Sequence, residues 1–230
     1  MRDKNVLSVV IPTLNEEENL LRLLPELLAL KPAPEIVVSD GGSIDKSLEI
    51  AQAFGVTFIA EAQGRGPQLN AGAGRCTGEI FLFLHADCLL PAKSYHGLLQ
   101  TMTDEPQLAG GAFTFSLGRT PGLWPRVYEM NVWLRSRIFN LPYGDQGFFI
   151  RRDVWFRGFD FQEQPLMEDV AWWQQMKRHE HVRVLPWPLI TSARRFKQRG
   201  YLKSAIRNLW TLIRYRCGVS PVRLAKEYHR

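Results

Sequence analysis

The chain has 230 residues, of which 45% are hydrophobic and 23% are charged, and this composition excludes a disordered or fibrous protein. The length fits one α/β domain with at most a short appendage. The three cysteines form no CxxC pair, which favours a reducing compartment. The N-terminal segment is too charged for a signal peptide, and no apolar run approaches about 18 residues, so we expect a cytoplasmic protein.

The net charge of +6 is unevenly distributed along the chain. From Arg194 to the C-terminus there are 11 basic residues and one acid, Glu227, whereas the first 193 residues hold 18 basic and 22 acidic residues. A basic C-terminal segment of this kind fits phosphate, nucleic acid or an anionic membrane surface as partner. The alternative is a solvated basic helix.

The first part of the chain predicts strands that alternate with helices, as in a mostly parallel, doubly wound sheet. Val6–Ile11 is a β-branched apolar run, typical of a strand that is buried on both faces. Asn15 is a plausible N-cap for the helix that follows it. The next predicted elements are strands at Ile36–Ser39, Val56–Ala60 and Ile80–Leu84, a helix at Asp45–Phe54 and a helix opened by Pro91.

Beyond Gly110 this alternation changes. The predicted strands there are Gly111–Leu117, Gly147–Ile150 and Val182–Leu185, and the predicted helices are Pro125–Phe139 and Met167–Arg178. No linker divides the chain, so we expect one domain over residues 1–200 followed by a basic amphipathic helical tail over residues 201–230.

Polar residues follow the predicted strands at their C-terminal ends, where open α/β sheets bind ligands. They are Thr13, Asn15, Glu16, Asp40, His85 and Asp87. Asp40 could instead close a turn, and Asp87 could cap a helix. The absence of GxxxxGK[ST] excludes phosphate-loop NTPases, and no GxGxxG follows the first strand.

The segment Gly64–Gly74 is rich in glycine but matches neither of those nucleotide-binding motifs. Arg65, next to closely approaching backbone, suits a diphosphate, and Asn70 suits a sugar or a base. A plain flexible loop is the alternative.

Six motifs in this order resemble the family 2 glycosyltransferases with the GT-A fold: VVIPTLNEEENL, VVSDGGSID, GRGPQLNAGAG, FLFLHADCLLP, GDQGFF and MEDVAWW. The small single-domain branch associated with selenodomain or arsenosugar genes is the most similar, and the resemblance runs from Ser8 to about Arg199. It implies inverting transfer of a sugar from a nucleotide diphosphate donor, most commonly a UDP-sugar, to an acceptor hydroxyl.

The resemblance also implies roles for individual residues. The donor would be bound by Pro12, Leu14, Glu16, Asp40, Arg65, Asn70, Ala86, Arg194 and Arg195. Asp169 would be the catalytic base, with Glu168 beside it in the same motif. The acceptor side would be formed by Gly144, Asp145 and Gln146.

The resemblance further implies a divalent metal, Mn²⁺ or Mg²⁺, held by Asp87 at the donor diphosphate. The family's metal motif usually begins with an acid, and here that position is His85. If His85 ligates the metal, Mn²⁺ should be preferred, because imidazole suits Mg²⁺ poorly. Alternatively, a neutral His85 hydrogen-bonds a ribose hydroxyl.

Two other function classes are open to a sheet of this kind. A sugar-1-phosphate nucleotidyltransferase would carry a glycine-rich basic loop after its first strand, and PTLNEEENL is not such a loop. A non-catalytic nucleotide-binding membrane protein would need neither Asp87 nor Asp169. The acceptor could be a lipid, a small metabolite or a glycan, and we expect no nucleic acid partner.

The C-terminal segment has the pattern of an amphipathic helix. Its apolar stripe is Leu202, Ala205, Ile206, Leu209 and Ile213, its cations are Lys203, Arg207, Arg214 and Arg216, and Trp210 and Tyr215 suit a bilayer interface. We expect binding to an anionic surface at the inner face of the membrane or to a lipid-linked acceptor. Alternatively, the stripe packs on the domain or on a second copy in a homodimer.

Aromatic residues fall in two groups. Met167, Trp172, Trp173 and Met176 fit core or pocket-wall positions. The second group, Trp124, Tyr128, Trp133 and Tyr143, either flanks the acceptor cleft or packs in the core.

Overall fold

The computed structural model describes residues 6–60 and 62–228, except for the side chain of Arg195. In these ranges the chain forms one eight-stranded sheet with helices packed on it. The strands are β1 (Leu7–Thr13), β2 (Glu35–Asp40), β3 (Thr57–Ile59), β4 (Ile80–Phe83), β5 (Cys88–Leu89), β6 (Gly110–Ser116), β7 (Phe148–Arg151) and β8 (Val182–Thr191).

The helices connect these strands and extend the chain beyond the last of them. They are α1 (Glu17–Leu28), α2 (Ser47–Ala53), α3 (Arg65–Arg75), α4 (Ala92–Asp104), α5 (Leu123–Arg137), α6 (Arg152–Trp155), α7 (Glu168–His179), α8 (Arg194–Arg199), α9 (Tyr201–Arg216) and α10 (Pro221–Tyr228). A 3-10 turn at Gly144–Gln146 precedes β7. None of the helices in the described part of the chain has both the length and the apolar character needed to cross a membrane.

The strand order is β3-β2-β1-β4-β7-β6-β8-β5. Among the described strands, β1 pairs in parallel with β2 and β4, β2 with β3, and β6 with β8. The other three pairings, β4–β7, β6–β7 and β5–β8, are antiparallel. The prediction of a mostly parallel α/β sheet in a single domain is therefore confirmed, and each antiparallel pair includes β7 or β8.

The sheet is buried on both faces, as the continuous apolar strands predict. One face packs on α1, α2 and α4 through leucines such as Leu20, Leu24 and Leu98. The other face packs on α3 and α7, where Trp172 stacks on Phe148 and Phe161 with ring centroids 4.9 and 5.1 Å apart. Trp172, Trp173 and Met176 thus lie in the core, as predicted.

The glycine-rich segment is a helix and not a loop. Residues Arg65–Arg75 form α3, which packs against β1. A Cβ atom on Gly72 would lie 2.3 Å from Cγ1 of Val10, so glycine at this position lets the helix approach the sheet closely. Glycine lowers helix propensity, and tertiary packing outweighs that preference here.

Two further local predictions are wrong. Asn15 does not cap α1, because it has a φ angle of 54° and Glu16 is the residue before the helix. The Asn15 side chain instead accepts a hydrogen bond from the N–H of Ile44 at 2.9 Å. The late strand is also longer than Val182–Leu185, since β8 continues through two prolines to Thr191 and pairs with β5.

The C-terminal segment folds back onto the domain. Helix α5 packs on β6 and on α9, and α10 packs on α9. A small apolar cluster joins Phe115, Tyr128 and Val132 to Phe196 and Ala205. Tyr128 is therefore a core residue. The division into a domain over 1–200 and a tail over 201–230 stays a prediction, and the two parts are in contact.

Candidate active site

A cleft of about 540 Å³ opens at the C-terminal ends of β1, β2 and β4. Parallel α/β sheets bind ligands at this edge, and the volume lies within the range of small-molecule sites. Ten of the site residues expected from the sequence line this cleft: Pro12, Leu14, Glu16, Arg65, His85, Ala86, Asp87, Asp145, Glu168 and Asp169. Tyr143 also lines it.

Arg65 and Glu168 form an ion pair across the cleft, between the first turns of α3 and α7. The Arg65 Nη1 and Glu168 Oε1 atoms are 3.0 Å apart. The Arg65 side chain is 46% exposed, whereas the Glu168 side chain is 3% exposed. Burial raises the pKa of Glu168, and the Arg65 charge opposes that shift. Glu168 thus anchors Arg65, which lines the cleft with a partly exposed side chain.

The carboxylate of Asp169 is held in a fixed orientation. Its Oδ2 accepts a hydrogen bond from the N–H of Gly144 at 2.9 Å, and its Oδ1 accepts one from the N–H of Val170 at 2.7 Å. His85 and Asp169 both lie near Gly144, since a Cβ on that glycine would be 3.1 Å from His85 Nε2 and 3.5 Å from Asp169 Cβ. Glycine at position 144 therefore leaves room for both side chains.

Asp145 is a mostly buried carboxyl group near other acids. Its pKa is raised to about 6, chiefly by burial and also by the negative charges of Asp169 and Asp87, against the opposing charges of Arg135 and Arg65. Its Oδ1 has no hydrogen-bond partner among the described residues. Three acids thus act electrostatically on one region of the cleft, an arrangement that suits a cation.

No group of three or more His, Cys, Asp or Glu side chains within residues 6–60 and 62–228 is arranged to hold a metal ion. The expected metal residues His85 and Asp87 both line the cleft. A cation there would need further oxygen ligands from a bound molecule.

Several expected donor residues are used elsewhere in the fold. Asn70 does not line the cleft, because its amide donates to the carbonyl of Phe161 and accepts from its N–H, each at 2.8 Å. Arg194 pairs at the surface with Glu18, at 3.1 Å. The side chain of Arg195 lies outside the described residues.

Asp40 closes the turn after β2 and is not part of the cleft wall. Its Oδ2 accepts from the N–H groups of Gly42 and Ser43 at 2.8 Å each, and its Oδ1 accepts from the Ser43 hydroxyl. The neighbouring Gly41 lines the cleft instead. The turn interpretation of Asp40 is thus confirmed, and its contact with the donor stays a prediction.

On the expected acceptor side only Asp145 lines the cleft. Gln146 is fully buried, and its amide donates to the carbonyl of Phe113 at 2.8 Å and accepts from Ser136 at 2.7 Å. Gly144 contributes its N–H to Asp169. These two residues therefore position the site and do not form its surface.

Residues of α3 and of the C-terminal helices that were not predicted from the sequence also line the cleft. Gln68 is buried and donates from Nε2 to the carbonyls of Thr13 and Ser39 at 2.8 and 2.7 Å, which ties β1, β2 and α3 together. Arg207 and Tyr228 come from α9 and α10, and the Arg207 guanidinium lies 4.2 Å from the Tyr228 ring centroid. Gln68 stands in a motif already singled out, whereas no local signal marks Arg207 or Tyr228.

The sequence comparisons agree on one family. The model described as "Glycosyl transferase family 2" matches residues 8–163. Glycosyltransferase AglE of Haloferax volcanii is 34% identical over 91 residues, which are 35% of this chain and 30% of that protein. Undecaprenyl-phosphate 4-deoxy-4-formamido-L-arabinose transferase of Pseudomonas fluorescens is 34% identical over 98 residues, 37% of this chain and 29% of that protein. Each match thus spans less than a third of the relative's length.

Several solved structures have a similar backbone. TarS of S. aureus, residues 1–349, aligns with a TM-score of 0.67 and 17% identity, over 90% of this chain and 64% of that one. Glucosyl-3-phosphoglycerate synthase of Mycobacterium tuberculosis with Mn²⁺ and UDP aligns with a TM-score of 0.66 and 17% identity, over 94% of this chain and 81% of that one. Mannosyltransferase PcManGT of Pyrobaculum calidifontis with GDP-Man and Mn²⁺ aligns with a TM-score of 0.66 and 17% identity, over 99% of this chain and 69% of that one. At these identities the likeness establishes the GT-A fold that the resemblance implied.

Proposed function

This chain belongs to glycosyl transferase family 2, and on that premise we propose that it transfers a sugar from a nucleotide diphosphate donor to an acceptor hydroxyl. The transfer inverts the anomeric carbon, with Asp169 as general base. One observation carries the proposal. The Asp169 carboxylate stands in the cleft, fixed by two backbone N–H groups, beside the Arg65–Glu168 pair.

The donor diphosphate is bound where two helices begin. The first turns of α3 and α7 both open on the cleft, and helix N-termini favour anionic groups. Arg65 supplies the guanidinium, whose fork geometry matches phosphate oxygens, while Glu168 holds it in place. Pro12, Leu14 and Glu16 line the cleft at the C-terminal end of β1, and the nucleoside is assigned there.

Asp169 acts on the acceptor in the chemical step. Its carboxylate takes the proton of the acceptor hydroxyl as that oxygen bonds to the anomeric carbon. The bond from this carbon to the diphosphate oxygen breaks, and its electron pair leaves with the nucleotide. General-base assistance of this kind accelerates reactions by roughly 10²–10⁴-fold.

We assign a divalent cation to the cleft, with the carboxylate of Asp87 as one of its ligands. In the same region, Oδ1 of Asp145 has no hydrogen-bond partner among the described residues, and the pKa of Asp145 is raised to about 6, chiefly by burial. A cation would offset the excess of negative charge in this region. Bound Mn²⁺ or Mg²⁺ would neutralise charge that develops on the leaving diphosphate. His85 is placed either to ligate Mn²⁺ or to hydrogen-bond the donor ribose.

The donor is assigned as a UDP-sugar. Two of the structures with the same fold hold UDP or GDP-Man, which supports a nucleotide diphosphate sugar as the class of donor. A screen of UDP-, GDP- and dTDP-sugars would measure thermal shift and nucleotide release, each with Mn²⁺, with Mg²⁺ and with EDTA. We expect donors with one of the three bases to raise the melting temperature of the protein. Nucleotide should be released from these donors only when metal is present.

Three outcomes of this screen would contradict the proposal or one of its parts. No shift and no release with any donor would overturn the assigned activity. Full activity in EDTA would leave the transfer reaction but remove the metal role of Asp87. Equal activity with Mn²⁺ and Mg²⁺ would exclude His85 as a ligand.

A further inference from the structure

Helix α5 is apolar on two opposite faces. Its inner face packs on β6 and α9 through Tyr128 and Val132. A second apolar stripe faces outward and is exposed to solvent. Its residues follow one another at intervals of three or four, as on one face of a helix: Leu123, Val127, Met130, Leu134 and Ile138. A helix that needed only to cover the sheet would carry polar residues on that outer face.

The neighbouring helix α9 shows the same arrangement. Its stripe is Leu202, Ile206, Leu209 and Ile213, and all four side chains are exposed. Trp210 is exposed beside them, as are Trp124 and Trp133 on α5. Ala205 and Tyr215, which the sequence analysis grouped with the outward residues, pack inward instead. The stripe therefore does not pack on the domain.

The charges on these outer surfaces are of one sign. The exposed charged residues are Arg126 and Arg137 on α5 and Lys203 and Arg216 on α9. Helix α9 contains no acid, and the single acid of α5, Glu129, points inward to accept a hydrogen bond from the N–H of Leu117 at 2.6 Å. The outer faces thus combine apolar, tryptophan and cationic side chains.

We propose that the exposed stripes of α5 and α9, together the α5/α9 apolar face, bind an anionic membrane surface. Apolar side chains enter the acyl boundary, tryptophans suit the headgroup level, and the cations pair with anionic lipids. A second copy of the chain fits less well, because a symmetric contact would bring these cations together without facing acids.

The α5/α9 apolar face also relates to the cleft through one helix. On another side of α9, Ser204, Arg207 and Asn208 line the cleft. A helix with its side chains is about 10 Å across, so docking at this face would hold the cleft close to the bilayer. The docking itself does not depend on the reaction proposed above.

The test is co-sedimentation of the full chain with two kinds of vesicle. One kind contains phosphatidylcholine alone, and the other contains about 30% phosphatidylglycerol, an anionic lipid that gives the vesicle a negative surface potential. We expect binding to the anionic vesicles, weakened several-fold when salt rises from about 0.1 M to about 0.5 M, because the Debye length shortens. Leu209→Glu should lower the partition coefficient about tenfold or more.

A matched control is Leu21→Glu on α1. Leu21 and Leu209 are both helical leucines, with relative exposures of 53% and 56%, so the two variants make the same change at similarly exposed helical positions. Leu21→Glu should bind vesicles as the unchanged chain does, and both variants should keep its melting temperature. Equal vesicle binding by Leu209→Glu and the unchanged chain would overturn the proposal.

The oligomeric state separates the membrane from a second copy. Sedimentation velocity without lipid should give a monomer for the unchanged chain and for Leu209→Glu. A dimer that Leu209→Glu dissociates, together with no binding to anionic vesicles, would assign the α5/α9 apolar face to a homodimer and would reject membrane docking. Donor-dependent nucleotide release, measured alongside, reports on the proposed reaction separately.

Discussion

The carboxylate of Asp169 accepts a hydrogen bond from the backbone N–H of Gly144 at 2.9 Å, across 25 residues of chain. This contact joins the first turn of α7 to the 3-10 turn that precedes β7. Two motifs that are separate in the sequence therefore form one unit, in which the position of the acidic side chain is set by main chain. A residue that must meet an acceptor hydroxyl benefits from such fixed support.

Replacing Asp169 with Asn tests the general base. The amide keeps the size of the side chain but cannot take the acceptor proton, so we expect turnover to fall by about two orders of magnitude or more, with nucleotide binding retained. Steady-state rates and donor-induced thermal shifts measure the two effects. Asp160→Asn, at an exposed carboxyl, is the control and should keep full turnover. Turnover near the unchanged level in Asp169→Asn would reject the assignment.

Arg65→Ala and Arg194→Ala form a second matched pair. Arg65 reaches the cleft and is anchored by Glu168, whereas Arg194 pairs with Glu18 at the surface. Loss of Arg65 should raise the apparent donor constant at least about tenfold, since one charged hydrogen-bond partner contributes on the order of 1.5–3 kcal/mol. Loss of Arg194 should leave the donor constant unchanged. Initial rates across donor concentrations would decide, and an equal effect of both changes would contradict the site geometry.

The sheet and its ligand-binding edge were predictable because local patterns determine them. A strand such as Val6–Ile11 has a β-branched apolar run that suits burial on both faces, and the polar residues that follow it fall at the sheet edge. His85 and Asp87 lie in the cleft for this reason.

Where the structure differs from what the sequence led us to expect, the common physical cause is contact between distant parts of the chain, and the donor roles of Asn70 and Arg194 stay predictions. Asn70 is held by Phe161, 91 residues away, and Arg194 by Glu18, 176 residues away. Arg207 lines the cleft only because α9 folds back over it, so its place in a basic amphipathic helix gave no sign of that role. Helix α3 forms despite its glycines, because packing on β1 outweighs local propensity.

Asp145 should make the stability of the protein depend on pH. Its pKa is raised to about 6 by burial, from an ordinary value of 3.8, so the folded state holds the proton more tightly than the unfolded state does. The resulting stabilisation is complete below about pH 4 and is lost as pH rises through about 6. In Asp145→Asn this loss is absent. The variant should therefore gain stability relative to the unchanged chain, by on the order of 2 kcal/mol between about pH 4 and pH 7.5.

Urea unfolding in EDTA across this pH range measures the effect of Asp145, and EDTA keeps cations from the neighbouring acids. For Asp160→Asn, at an exposed carboxyl, the free energy of unfolding should change with pH in parallel with that of the unchanged chain. Parallel curves for Asp145→Asn as well would show that the Asp145 carboxyl titrates alike in the folded and unfolded states.

Two glycines of α3 should respond in opposite ways to alanine. A Cβ on Gly72 would lie 2.3 Å from Val10 Cγ1, so Gly72→Ala forces the helix away from β1 and should cost about 1–3 kcal/mol of stability. A Cβ on Gly74 meets nothing within 4 Å, so Gly74→Ala should add roughly 0.5–1 kcal/mol through higher helix propensity. Denaturant unfolding measures both changes.

The contact with Val10 can be isolated by a double-mutant cycle. If it causes the loss, Gly72→Ala should cost less in a Val10→Ala background, where Cγ1 is gone, than in the unchanged chain. Because α3 also carries Arg65, the displaced helix should raise the donor constant of Gly72→Ala, and the Val10→Ala background should reverse part of that rise. If the two changes were additive in their effect on stability, the close approach of α3 to β1 would not be the reason for glycine at position 72. The donor constant of Gly72→Ala would then also be expected to equal that of the unchanged chain.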